Sequence, residues 1–303
     1  MSDLFVLFVN NLLPILLAAG AGFLVARYLG VTPRSVSRIV FYIFSPCLIF
    51  TLLTSGRLNG NDITQMVFFT VASVLVMGVI TAIIAFALRL KRSVIVALLL
   101  TVMFGNAGNF GLSLNLFAFG EDAVAYAAIF FATSAILVYT LGVVLASWGK
   151  TNLRSAFVGV FKFPVVYAVI FALIFNIFDW QLPLPLERTI SILSDAAIPV
   201  MIVLLGIQLY NSKLSNDIFP VGLSNLLRLV ISPLLAIGLA ALFRLEGTAY
   251  QAGVLESAVP TAVLTTVLAT EFDIEPALVT TAVVTSTLLS PLTITPLLAF
   301  LGA

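Results

Sequence analysis

Apolar stretches long enough to cross a bilayer follow one another down the whole chain, and they constrain the fold more than any motif does. Between Ile63 and Leu88, for example, there is no Asp, Glu, Lys or Arg. A run of about 18 or more such residues reads as a membrane-spanning helix, because lipid offers the backbone no hydrogen bonds and a helix satisfies them internally. With 9% charged and 61% hydrophobic residues, a soluble domain of 303 residues would lack the polar exterior it needs. The sequence therefore predicts an all-α polytopic membrane protein.

Composition also removes function classes. There is no histidine and only one cysteine, Cys47. Imidazole general bases, proton relays and metal ligands are thus absent, and no internal disulfide can form. An enzyme is not expected, and no catalytic residue or cofactor is assigned. A net charge of +1 gives no basic patch, so nucleic acid is not an expected partner. The start, MSDLFVLFVNNLLPILLAAGAGF, has no Lys or Arg before its apolar run and reads as a first span, not a signal peptide.

Hydropathy and turn residues divide the chain into ten expected helices: 4–26, 35–54, 63–88, 94–117, 123–147, 163–178, 189–210, 217–243, 249–270 and 276–301. Short connections leave one membrane domain over 1–303. Arg27, Arg34, Arg38, Arg89, Lys91, Arg92, Lys150, Arg154, Lys162 and Lys213 fall on one side. Only Arg57, Arg188 and Arg244 fall on the other. Ten cations against three place both termini on the non-cytoplasmic face of a cell (inner) membrane.

The fourth run, SVIVALLLTVMFGNAGNFGLSLNLF, is interrupted by Gly105-Asn106-Ala107-Gly108-Asn109-Phe110-Gly111. Glycines weaken a helix, and carboxamides are costly against lipid tails. Such a break is tolerated facing protein or a water-filled cavity, where freed backbone groups can hold an ion or a carboxylate. The alternative is close helix packing with asparagines bonded across an interface.

An internal repeat bears on that choice. Ser45-Pro46-Cys47-Leu48-Ile49-Phe50 is similar to Ile198-Pro199-Val200-Met201-Ile202-Val203, and Phe119-Gly120-Glu121-Asp122 to Phe272-Asp273-Ile274-Glu275. Both pairs share the offset 199 − 46 = 272 − 119 = 153. Repeat one is then 1–150 and repeat two 151–303. Five spans in each would invert one half relative to the other. The same offset sets Ala258-Val259-Pro260-Thr261-Ala262 opposite Gly105 to Asn109, with Pro260 breaking the ninth span. Two interrupted helices at matching places in inverted halves point to a binding site.

Glu256, one turn before Pro260, is expected to face the bundle interior as a site for sodium or a proton. A structural pairing with Arg228 and a position near the interface are the alternatives. Arg228, inside the eighth span, could hold a substrate carboxylate, neutralise Glu256, or snorkel to a headgroup. Asn106, Asn109, Thr261 and Ser257 offer neutral donors and acceptors at the breaks. The candidate substrate site is Asn106, Gly108, Asn109, Ser113, Pro260, Thr261 and Arg228, and the candidate cation site is Glu256, Asn109 and Ser257.

GNAGNFGLSLNLFAFGED resembles the motif GNxGNxGLP, followed by an FGxxG-like loop, of the auxin efflux carrier family. ESAVPTAVLTTVLATEF with STLLSPLTITPLL resembles the same family's ninth and tenth spans. The resemblance covers the whole chain. It implies ten transmembrane helices as two inverted five-helix repeats, a scaffold of helices 1, 2, 6 and 7, and a transport domain of helices 3–5 and 8–10. Broken helices 4 and 9 would cross in that domain, which would carry a small organic anion, auxin-like or dicarboxylate, by an elevator-type motion. A homodimer through the scaffold, embedded in membrane lipid, is also implied. Sodium/bile-acid symporters are similar in architecture and use a glutamate as a sodium ligand where Glu256 stands. The chain departs from the motif at Ser113, where proline is usual. It also departs at Glu256, which favours cation coupling.

The resulting expectation is a secondary carrier of a small carboxylate, with Na+ or H+ as coupling ion. A cation or proton exchanger using Glu256, and a membrane sensor that binds a lipid or metabolite, are its rivals. A sensor would be expected to carry a soluble output domain, and none is read here.

Overall fold

The computed structural model describes residues 2–55, 60–147, 164–178, 180–210 and 215–303. Every regular element among the described residues is helical. In chain order these are α1 (Asp3–Leu29), α2 (Pro33–Thr54), α3 (Gly60–Ala87), α4 (Arg92–Met103), α5 (Ser113–Phe119), α6 (Glu121–Ala146), α7 (Pro164–Ile177), α8 (Leu184–Tyr210), α9 (Ile218–Leu242), α10 (Gly247–Ala258), α11 (Leu264–Glu271) and α12 (Pro276–Leu301). Seven of them, α1, α2, α3, α6, α8, α9 and α12, are long and apolar enough to cross a membrane.

The expected spans 94–117, 163–178 and 249–270 fall on shorter pieces: α4 and α5, α7, and α10 and α11. Five of the cations behind the orientation count, Arg57, Lys150, Arg154, Lys162 and Lys213, lie outside the described residues.

Proline and glycine shape these helices in readable ways. α1 ends where Gly30 turns left-handed at φ 66°, its N–H donating to the Ala26 carbonyl at 3.2 Å. Pro14, Pro46 and Pro233 each follow a π-helical turn, at Phe8–Leu12, Val40–Phe44 and Leu227–Ile231 respectively. Proline clashes with the carbonyl one turn back and withholds an N–H, and a widened turn relieves both faults without ending the helix. Pro199 lies inside α8 and Pro291 and Pro296 inside α12.

The helices pack in two sets. α8 lies along α1 and α2, and α2 along α7. The α1–α8 contact is close enough that a Cβ on Gly22 would meet the Val203 carbonyl, and one on Gly206 the Ala19 carbonyl. In the other set α3 packs on α4 and α6, α9 on α10 and α12, α6 on α10, and α4 on α12. α8 meets this second set at the turn Ala107–Leu112. Outer positions such as Phe68, Ile83, Leu288 and Leu292 are exposed and apolar. Buried hydroxyls such as those of Thr70 and Thr101 bond back to their own helix.

Candidate functional site

Four helix ends meet at the centre of the second set. α4 stops at Met103, and Phe104 is extended at φ −111°, ψ 108°. α10 stops at Ala258, and Val259 is extended at ψ 153°, as the residue before a proline must be. Between these ends Gly105 and Thr261 form an isolated antiparallel bridge. The Asn106 N–H donates to the Pro260 carbonyl at 2.7 Å, and the Ala262 N–H to the Phe104 carbonyl at 2.9 Å. Helix resumes at the π-helical turn Ala107–Leu112 leading into α5, and at Leu264 in α11.

Thr261, not Ala258, stands opposite Gly105, a separation of 261 − 105 = 156. The repeat offset of 153 had misjudged this register by three residues. Helix boundaries elsewhere scatter about 153: 258 − 103, 242 − 87 and 276 − 121 are each 155, while 271 − 119 is 152.

The carbonyl ends of α4 and α10 converge on Arg228, which is 3% exposed. Its Nε donates to the Val259 carbonyl at 2.7 Å, Nη1 to that of Val102 at 3.2 Å, and Nη2 to that of Glu256 at 3.4 Å. The Glu256 carbonyl needs an outside donor because residue 260, four positions on, is a proline without an N–H. Two helix C-termini, each carrying roughly half a negative charge, also offset the guanidinium. A Cβ on Gly105 would run into this guanidinium, so the position has to be glycine while the arginine stays. Thr261 ties the same two strands together, its hydroxyl donating to the Thr101 carbonyl at 2.9 Å.

The N-terminal ends of the segments in which helix resumes, at Ala107 and Leu264, open on a cavity of about 730 Å³ lined by Gly105 to Asn109 and by Ala262, Val263 and Leu264. N-terminal N–H groups have no carbonyl to bond within their helix and favour an anion. The Asn106 Nδ2 is buried and has no hydrogen-bond partner among the described residues. Across the cavity stand Ser37 and the exposed Arg34 and Arg38 of α2, and Gln208 of α8. Most of the remaining wall is apolar, Phe131, Ile136 and Val165 among it.

Glu256 lies apart from this cavity, 0% exposed. Its Oε1 accepts from the Asn115 Nδ2 at 3.0 Å, and its Oε2 has no partner among the described residues. Arg228 bonds to the backbone carbonyl of Glu256, and no bond to its carboxylate is found among the described residues. Both Asn115 Oδ1 and the Ser113 hydroxyl are likewise buried and unpartnered. The carboxylate takes the space beside Gly111, where a Cβ would collide with both its oxygens.

Of the residues singled out for substrate, Asn106, Gly108 and Asn109 line the cavity; Ser113, Pro260, Thr261 and Arg228 are not among its lining residues. Of the cation set, Glu256 has Asn115 as its partner, while the Ser257 hydroxyl is bonded back to the Gly253 carbonyl at 2.9 Å. Sequence reasoning passed over Asn115 and Gln208. Asn115 had a signal: it stands four residues after Gly111, on the same helical face.

Seven helices long and apolar enough to cross a bilayer define an integral membrane protein. The chain belongs to the membrane transport protein family, whose model matches residues 7–156 and 150–298, the family that also includes the auxin efflux carriers. Over 263 residues it is 31% identical to an uncharacterized transporter of Methanothermobacter thermautotrophicus, covering 84% of this chain and 85% of that one. It is 25% identical over 295 residues to a Rhizobium meliloti protein named "Putative malonate transporter", covering 91% and 90%. Auxin efflux carrier component 8 of Arabidopsis thaliana is 25% identical over 149 residues, 48% of this chain and 38% of that one. This is a family of transporters and not of enzymes.

Proposed function

We propose that the protein is a secondary transporter of a small organic anion, a carboxylate of the auxin-like or dicarboxylate kind. The observation that carries this reading is the cavity at the crossing. Two helix N-termini and the residues Asn106 and Asn109 line it, while Arg228, the one deeply buried cation among the described residues, is turned to carbonyls on the other side. The anion is then held by neutral dipoles, which bind without the desolvation cost of a buried ion pair. The names of the Rhizobium and Arabidopsis relatives fit this class.

On this reading the chain has ten spans in two inverted halves, with helices 4 and 9 broken and crossing. Contacts that come in pairs support the inversion: α1 with α8 answers α7 with α2, and α3 with α6 answers α9 with α12. α1, α2, α7 and α8 are then the scaffold, through which a homodimer forms, and the remaining helices are the moving body of an elevator. Both termini are non-cytoplasmic in the inner membrane, so the cavity beside Arg34 and Arg38 opens inward.

Glu256 binds the coupling ion, sodium or a proton. A fully buried carboxylate with an unpartnered oxygen, beside the unpartnered Asn115 Oδ1, supports a cation there. The same observation favours one rival, an exchanger for which that cation is the only substrate.

The test is thermal stability of the detergent-purified protein against a panel of carboxylates in sodium or potassium, since a ligand selective for the folded state raises its unfolding temperature. Stabilisation by an acid only in sodium, lost in Glu256→Gln, is expected. Sodium acting without any acid would instead favour the exchanger. Asn109→Ala is expected to abolish uptake while leaving the protein folded in the membrane, and unchanged uptake would take Asn109 out of the site.

A further inference from the structure

The crossing is joined to α8 by a polar contact that anion binding must disturb. Asn109 Nδ2 donates to Gln208 Oε1 at 3.4 Å, and Gln208 Nε2 donates to the Ser37 hydroxyl at 3.5 Å. All three residues line the same cavity. Both bonds sit at the long end of the range, so exchanging them costs little. Gln208 itself is held in place: two residues earlier, Gly206 lies against the Ala19 carbonyl of α1 with no room even for a methyl group. Whatever bonds to Gln208 is therefore bonded to a fixed helix.

We propose that Gln208 is a second ligand-binding residue, reaching the anion from α8, and that its carbonyl oxygen occupies the carboxylate position at Asn109 while the site is empty. The inference rests on the carboxylate-carrier reading and deepens it. A carboxylate accepts hydrogen bonds and donates none. It displaces Gln208 Oε1 from Asn109 Nδ2, and the Gln208 amide turns over to present Nε2 to the second carboxylate oxygen. The ligand then bridges Asn109 on the crossing and Gln208 on α8, and the anion replaces a direct contact between the two. Selectivity follows: an acid whose carboxylate is capped as a methyl ester cannot take two donors in this way, and it loses the bridge.

The experiment measures stabilisation of the purified wild type, Gln208→Leu and Gln208→Glu by a panel of small mono- and dicarboxylates, malonate and indole-3-acetate among them, and by their methyl esters. Gln208→Met, closer in length, replaces the leucine variant should that one not fold. For an acid that stabilises the wild type, the apolar variant is expected to bind about tenfold more weakly, the loss of one hydrogen bond to a charged group. Gln208→Glu is expected to lose at least as much, because its own anion fills the place beside Asn109. Equal or tighter binding by the apolar variant would show that Gln208 touches Asn109 but not the ligand, and would overturn the proposal while leaving the carrier reading standing. A wild type stabilised by none of the acids would remove the carrier reading, and this inference with it.

Discussion

Gly111 and Glu256 show how a single missing methyl group sets the site. The carboxylate lies where the Cβ of any other residue at 111 would be, in contact with both oxygens, and Glu256 has no exposed route of retreat. Gly111→Ala should therefore destabilise the protein by about 1–3 kcal/mol, the usual cost of overpacking a closed core. Removing the obstacle should recover part of that loss: in Gly111→Ala with Glu256→Ser the two effects should fall short of additivity by at least about 0.5 kcal/mol. Thermal unfolding of the four proteins of the cycle measures it, and strict additivity would mean the two side chains do not share that space. What the sequence could and could not tell at this scale follows from the kind of contact involved. Glu256 was conspicuous because a carboxylate in an apolar run has few places to go. Asn115 was hidden in LSLNLF, where its neighbours made it look like one more turn of a packed helix. The partners of Arg228 are backbone carbonyls, which every residue owns, so no spacing of side chains could have named them.

At the scale of the elements, Arg228 holds two helix ends together from a third helix. Removing it leaves the carbonyls of Val102, Glu256 and Val259 without its three donors, in a place with little water to replace them. An unsatisfied buried acceptor costs about 1–3 kcal/mol. Arg228→Met should thus lower stability by about 3 kcal/mol or more, and Arg228→Lys should restore only part, since one ammonium cannot reach three carbonyls in a fork. Unfolding temperatures of the two variants test this, and an Arg228→Met protein as stable as wild type would assign those carbonyls to other donors. The places where α4 and α10 stop were legible, because Gly105, Asn106 and Pro260 stand out inside apolar runs. Their mutual register was not: the repeat offset came from motifs at Pro46 and Phe119, and the segments between those motifs and the crossing are not of equal length in the two halves. Only the hydrogen bonds between Phe104 and Ala262, and between Asn106 and Pro260, fix which residues face each other.

For the whole molecule, the proposed inversion makes a claim about accessibility that the cavity at the crossing does not. Val267 on α11 lines that cavity and is 53% exposed. Phe119 and Phe272, at the ends of α5 and α11, are 153 apart, so its counterpart is 267 − 153 = 114, and Leu114 is 0% exposed. If the two halves exchange roles during transport, Leu114 should line the cavity on the opposite face whenever Val267 is closed off. The lone Cys47 makes this measurable, because Cys47→Ser removes the only native thiol. In that background Val267→Cys should react with a membrane-impermeant maleimide from the face that carries Arg34 and Arg38, in the absence of ligand. Leu114→Cys should be silent under the same conditions and become reactive from the other face during turnover with a transported acid and its coupling ion. Val267→Cys should slow in step, since one body cannot open both ways at once. Continued uptake with Leu114→Cys unreactive from either face would mean that the anion crosses without this exchange, and the elevator reading would have to give way to a path through a static crossing.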